Sequence, residues 1–408
     1  MIDIGRLWRQ FIQTYVPRKS ATMAQAYLPN TMPLQPLKAD TDALLKQSLE
    51  DIIQKNPQQD KYEADDLLGI AAGPTGLAYF FLRMSQTHPD LQIQGHDCIY
   101  WAEKYIAGDR AALEIQDKNC GFACEKLAYE AVKASITKDE KDVAAFLSNI
   151  PRIIAKTPEG GEDPFPSEML YGRAAVLYLL RAIRKSVPGS ADSVNEAISK
   201  ICQKILDTKD NSKGEWLWNG KRYYGAPHGD IGIITQIVLS EPSLAPKLKD
   251  RLERLLDLQN ESGNWSDTDE VREDSYRRVQ FCHGAPGFTF SLQSLRPYYP
   301  DLHERFDKAI ERGREVTWDR GILVKEPSLC HGLFGNGLSF PKGEKRDHFL
   351  SLATPDSLEN LRKEHPDSFT GGSYGMSSSP LFSYLPSAAW TWTVFNEEKP
   401  TIMLFNDI

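Results

Sequence analysis

Apolar residues recur at helical spacing along most of the chain, in runs such as LAYFFLRM (77–84), AAVLYLLRAI (174–183) and IGIITQIVLS (231–240). Proline and glycine fall mostly between these runs, and no segment alternates like a long strand. The pattern predicts an all-α protein. A short signature, Gly-x-x-Gly, leads into several of the runs. It occurs at Gly73 and Gly76, Gly229 and Gly232, Gly284 and Gly287, and Gly332 and Gly335. Weaker copies are Gly172-Arg-Ala-Ala175 and Gly375-Met-Ser-Ser378. A decayed copy starts at Ala123, where Leu127-Ala128-Tyr129 repeats Leu77-Ala78-Tyr79.

The first positions of the copies are 73, 123, 172, 229, 284, 332 and 375, so the steps are 50, 49, 57, 55, 48 and 43 residues. A period of this size holds two helices and two loops, and such units stack to bury one continuous core. An open solenoid and a closed ring give similar periods. Glycine at the start of a helix indicates tight backbone approach, as where helices crowd around an axis. The expected fold is therefore an α/α toroid of seven helical hairpins over residues 61–408, with the glycine loops at one end. Residues 1–60, including the proline-containing YLPNTMPLQPLKAD (27–40), are expected to form an N-terminal helix and an arm that packs on or caps the ring.

Composition narrows the function. Hydrophobic residues make up 41% of the 408, enough for a sizeable core. A net charge of −8 argues against nucleic-acid binding, which needs clustered Lys and Arg. No apolar stretch approaches eighteen residues, so no membrane span is expected, and the first twenty residues do not read as a signal peptide. Six cysteines do not make a disulfide framework, which points to a reduced, cytoplasmic setting.

Three consecutive signatures carry a histidine immediately in front: His228 in GAPHGDIG, His283 in CHGAPG and His331 in CHGLFG. In the last two a cysteine precedes it, Cys282 and Cys330. If the repeats superpose, these five side chains converge at one end of the ring. Thiolate and imidazole are zinc's preferred ligands. The set allows either a closed Cys₂His₂ structural centre or a three-ligand site with an open position, and spacing alone does not separate His283 from His331. Cys98 and Cys202 read as core. Cys120 and Cys124 read as structural filler, without a histidine to accompany them. Trp216, Trp218, Trp390 and Trp392 read as packing residues, with pocket lining as the alternative.

LYGRAAVLYLL (170–180), GAPHGDIGI (225–233), CHGAPG (282–287) and LCHGLFGNG (329–337) together resemble the lanthionine synthetase C-like family, eukaryotic relatives of bacterial lantibiotic cyclases. The resemblance implies a double-layered toroid of seven hairpins and one zinc ion per chain, held by Cys282, Cys330 and His331. It also implies proton transfer by His228, an arginine lining the site at Arg278, and a lysine associated with glutathione at Lys325. Three features depart from the pattern. An acidic pair is reduced to Ser167-Glu168, Tyr374 stands where a glutamate usually precedes the glycine of the last repeat, and the chain ends in MLFNDI.

A free thiol is mostly protonated at neutral pH, and coordination to zinc deprotonates it. The expected reaction is addition of a thiolate, from glutathione or a peptide cysteine, to the β-carbon of an α,β-unsaturated acceptor such as a dehydroamino acid in a peptide or protein. Arg278 would stabilise the resulting enolate and His228 would protonate the α-carbon, with His283 a rival for that role. Glu168 is either an orienting or substrate-binding carboxylate or a solvated charge. The alternative is a non-catalytic scaffold or sensor that binds zinc and glutathione.

Overall fold

The computed structural model describes residues 26–110, 113–157, 161–270, 278–366, 368–370 and 377–408. The first 25 residues of the expected N-terminal segment, Tyr374 and the signature glycine Gly375 lie outside them.

Helices pair into seven hairpins among the described residues. Six are consecutive in sequence: α2 (Gly73–Thr87) with α3 (Cys98–Ala107), α4 (Glu125–Thr137) with α5 (Glu140–Leu147), α7 (Arg173–Ser186) with α8 (Ala191–Asp207), α9 (Asp230–Ser240) with α10 (Ala245–Asp257), α11 (Ala285–Leu295) with α12 (His303–Arg320), and α13 (Leu333–Leu338) with α14 (Glu344–Leu352). The seventh joins α16 (Tyr384–Val394) to α1 (Thr41–Lys55). Short helices α6 (Ile150–Ile153) and α15 (Pro355–Glu364) lie in the connections.

The first helix of each consecutive pair, together with α16, forms an inner ring. Helix α2 is buried without a break from Gly73 to Met84, and α9 from Asp230 to Val238. Helix α10 instead buries a stripe of Ala245, Leu248, Leu252, Leu255 and Leu256, and turns charged residues outward. A helix that is apolar on every side is stable only inside, whereas one with a single apolar stripe belongs at the surface. The ring closes where Thr393 Oγ1 of α16 donates to Met84 Sδ of α2 at 3.5 Å, and Ser379 Oγ donates to the Ala71 carbonyl at 2.6 Å. The fold is the expected α/α toroid.

The signatures mark the starts of inner helices. Gly172, Gly229, Gly284 and Gly332 are the N-cap residues of α7, α9, α11 and α13. The second glycine has a steric reason. A Cβ on Gly232 would stand 1.7 Å from the carbonyl oxygen of Ala226, six residues earlier. The same contact recurs at Gly335 with Leu329 (1.9 Å), Gly287 with Phe281 (2.1 Å) and Gly76 with Ile70 (2.9 Å). In each loop the chain folds back onto the first turn of its own helix, closer than any side chain permits.

Two segments brace the ring. Tyr27–Leu28 pairs antiparallel with Ile322–Leu323, and Asn30 Oδ1 and the Gln35 amide both meet the His348 ring, each at 3.0 Å. At the other end of the sequence, Thr401–Ile408 enters the centre of the ring. Asp407 accepts from Arg83 Nε at 2.9 Å and from the Tyr178 hydroxyl at 2.8 Å, and Gln236 Nε2 donates to the Phe405 carbonyl at 3.0 Å. No helix among the described residues is long and apolar enough to cross a membrane.

Candidate metal centre and its cavity

Cys282, Cys330 and His331 sit in the loops that precede α11 and α13. Their ligand atoms all lie within 4.8 Å of one another, and all three residues are buried. Tetrahedral zinc with Zn–S near ~2.3 Å asks for donor atoms roughly 3.5–4 Å apart, so the donor set fits zinc in both chemistry and spacing. The loops are pinned by the backbone: Cys282 N–H donates to the Cys330 carbonyl at 3.1 Å, and Cys330 N–H donates to the Leu381 carbonyl at 3.0 Å. Among the described residues the cluster holds these three ligands, and His283 does not join it. The three side chains thus stand together as a group that could hold a metal, with His283 apart from them.

Electrostatics prepare the triad. Burial first, and then the Lys325 charge, hold His331 down to about 3, so its imidazole is neutral and able to coordinate. Burial also holds His283 well below the usual histidine range, aided by Arg278. For Cys282 burial opposes ionisation, but hydrogen bonding with Cys330 and the Lys325 charge outweigh it and lower its pKa. Cys330 moves the other way, raised by burial and by the neighbouring sulfur. Of the two thiols, Cys282 is thus the easier to ionise.

A cavity of about 360 Å³ opens onto the triad. Its wall includes His228, Arg278 and His283, together with Trp218, Tyr223 and Gln280, and Leu404 and Phe405 of the final segment also contribute. The expected site residues therefore assemble, with differences in role. Glu168 is not a solvated charge: it is 1% exposed. Its Oε2 lies 2.5 Å from His228 Nδ1 and accepts from the Leu170 amide at 2.9 Å, while Oε1 accepts from the Tyr171 amide. It orients the histidine from behind the cavity wall. Arg278 pairs with Asp267 through Nη1 at 2.6 Å. Lys325 stands behind the wall too, with Nζ donating to Gln280 Oε1 at 3.1 Å.

Several contributors carry no motif. The Trp218 indole stacks on His228 at 3.9 Å between ring centroids, with the planes 6° apart, so it is a wall residue rather than packing alone. The His228 and His283 rings are 6.2 Å apart, and Tyr223 lies about 6 Å from each. Phe405 meets Phe281 edge-on at 5.0 Å. Trp216, Trp390 and Trp392 are core, as are Cys98 and Cys202. Cys120 and Cys124 are also buried and lie just before α4.

A toroid of seven hairpins with a Cys-Cys-His triad at one end defines a class, and the family model described as lanthionine synthetase C-like protein matches residues 67–345. The chain belongs to that family. Among individual proteins, it is similar to glutathione S-transferase LANCL1 of Danio rerio, 29% identical over 196 residues. That match covers 44% of this chain and 47% of the relative, so the chain spans about half the length of the curated protein it matches.

Proposed function

We propose that this protein activates a thiol at a zinc site formed by Cys282, Cys330 and His331 and adds it to an α,β-unsaturated acceptor such as a dehydroamino acid. The observation that carries the reading is that the triad and His228, held from behind by Glu168, open onto one cavity. The name of the Danio rerio relative supports glutathione as the thiol. Zinc at the triad would supply a thiolate at neutral pH without a strong base.

The chain's own residues do the rest. The cavity limits water around the acceptor and strengthens every charge that faces it. The Arg278 guanidinium, steadied by Asp267, is placed to meet negative charge on the acceptor carbonyl as the carbon–sulfur bond forms. His228, held through Nδ1 by Glu168 and stacked on Trp218, presents Nε2 to the cavity and gives its proton to the α-carbon. The thiol loses one proton, the α-carbon gains one, and sulfur bonds to the β-carbon as the carbon–carbon π bond opens. His283, kept neutral by burial, contributes a hydrogen bond in this scheme rather than the proton.

The test is mass spectrometry of the purified, zinc-quantified protein with glutathione and a dehydroalanine peptide, beside Cys330→Ala and His228→Ala. A glutathione adduct well above the uncatalysed rate, lost in both variants, is the expected result. One bound zinc per chain with thiol binding but no adduct would overturn the reading in favour of a zinc- and glutathione-binding scaffold.

A further inference from the structure

One hydrogen-bonded chain runs from Lys325, behind the cavity wall, through Gln280 to the Cys282 sulfur. Gln280 Nε2 donates to Cys282 Sγ at 2.9 Å, and Gln280 Oε1 accepts from Lys325 Nζ at 3.1 Å. Gln280 is 2% exposed, so this amide has little water to turn to. An ammonium group has donors only, so Lys325 dictates which end of the amide faces it. The oxygen points to the lysine and the NH₂ to the sulfur. The backbone holds the glutamine in place as well, because Gln280 and His283 exchange N–H···O bonds of 3.2 Å in both directions across the Cys282 turn.

We propose that Gln280 is a positioning residue for the metal centre, relaying the Lys325 charge onto the Cys282 sulfur and making the two thiolate ligands inequivalent. No side-chain amide or ammonium meets the Cys330 sulfur among the described residues, whereas the Cys282 sulfur has this one. The charge count gives the relay a purpose. Two thiolates and a divalent zinc sum to zero, so a third, incoming thiolate leaves one negative charge in a buried site. Such a charge is costly unless compensated. Lys325, one amide away, supplies the opposite charge without occupying the cavity. This inference rests on the zinc reading of the triad.

The experiment uses the full chain loaded with zinc or cobalt(II), comparing wild type, Gln280→Leu, Lys325→Met and the double variant. Zinc affinity is read by competition with a chromophoric chelator, and ligand geometry by the sulfur-to-cobalt charge-transfer bands. Loss of an outer-shell partner typically weakens metal binding 10–100-fold, which is the fall expected for Gln280→Leu. One charge-transfer band should also shift to longer wavelength, because a thiolate without its hydrogen bond is easier to oxidise. Lys325→Met should move the same band in the same direction. The double variant should be no worse than Gln280→Leu, since the two act in series. If Gln280→Leu does not fold, Lys325→Met, altered at a half-buried position, carries the spectroscopic test. Zinc affinity within twofold of wild type with unmoved bands, or losses that multiply in the double variant, would overturn the relay. A wild-type chain that takes up neither metal would overturn the zinc reading along with it.

Discussion

Replacing Glu168 with glutamine changes one atom and tests how the site handles its proton. In the native arrangement the carboxylate accepts three hydrogen bonds, from His228 Nδ1 and from the amides of Leu170 and Tyr171. All three donors need acceptors, and glutamine offers one oxygen in place of two. Its NH₂ must therefore face at least one N–H. A charge-assisted hydrogen bond contributes about 1.5–3 kcal/mol, and at 1% exposure little screening reduces it. That amount is lost chiefly by the protonated, imidazolium form of His228, the form that delivers the proton. Turnover should consequently fall about 10–100-fold, at 1.4 kcal/mol per tenfold. Glu168 is not one of the candidate metal ligands, so zinc content and the KM for glutathione should stay within about twofold of wild type. The assay is steady-state adduct formation by mass spectrometry, with zinc quantified and folding checked by near-UV circular dichroism. A folded Glu168→Gln protein whose turnover stays within threefold of wild type would refute the reasoning. So would a loss confined to KM.

Three further outcomes follow from packing. Asp407→Asn leaves the buried Arg83 guanidinium without its 2.9 Å counter-charge, which should cost about 3 kcal/mol in urea unfolding; a loss under about 1 kcal/mol would show that the pair does not anchor the final segment. Burial alone would raise the pKa of Asp163, but hydrogen bonds from Arg173 and Lys204 hold it below the usual aspartate range. Its folded pKa is thus depressed, so its contribution is present above about pH 4 and is lost as pH falls through the folded value. The stability gap between wild type and Asp163→Asn, measured by urea melts, should accordingly shrink between pH 6 and pH 3, and a constant gap would contradict the sign. Gly232→Ala drives a Cβ into the Ala226 carbonyl and should cost about 3 kcal/mol or more. Gly189→Ala, which meets only the Glu140 carboxylate, should stay within about 0.5 kcal/mol, with both read by thermal unfolding.

What the chain reveals in advance depends on whether a constraint is local. The second glycine of each signature answers to a carbonyl six residues earlier, so the repeat is written in sequence and the hairpin architecture could be read from it. Because Cys282, Cys330 and His331 occupy equivalent places in successive repeats, their convergence followed from the same periodicity. The pairing of α1 with α16 joins opposite ends of the described chain and leaves no periodic trace. Glu168 reaches His228 from 60 residues away, and its burial depends on a neighbouring repeat's loop. Trp218 stacks on His228 through a tertiary contact that its own neighbourhood does not encode. Gln280 stands two residues from Cys282, yet an amide has no recognisable spacing, and only its placement between a lysine and a sulfur gives it meaning.

The position of the chemistry in the ring has a physical logic of its own. His228 and His283 are each followed at once by the glycine N-cap of an inner helix, α9 or α11, and both histidines line the cavity. The cavity therefore borders the N-terminal ends of those helices, where the helix dipole favours negative charge. The charge that develops on the substrates in the proposed reaction is negative: first a thiolate, then an enolate. Arg278 adds a full positive charge at the wall and Lys325 another behind it. Burial meanwhile keeps His283 and His331 uncharged, so the cations do not accumulate repulsion among themselves. A ring built from repeated hairpins places equivalent helix starts side by side at one end. The tight glycine loops that let those helices approach also bring in the side chains that precede them. The packing requirement and the site thus share a cause, and a substitution that widens a signature loop should disturb thiol chemistry even where it touches no ligand.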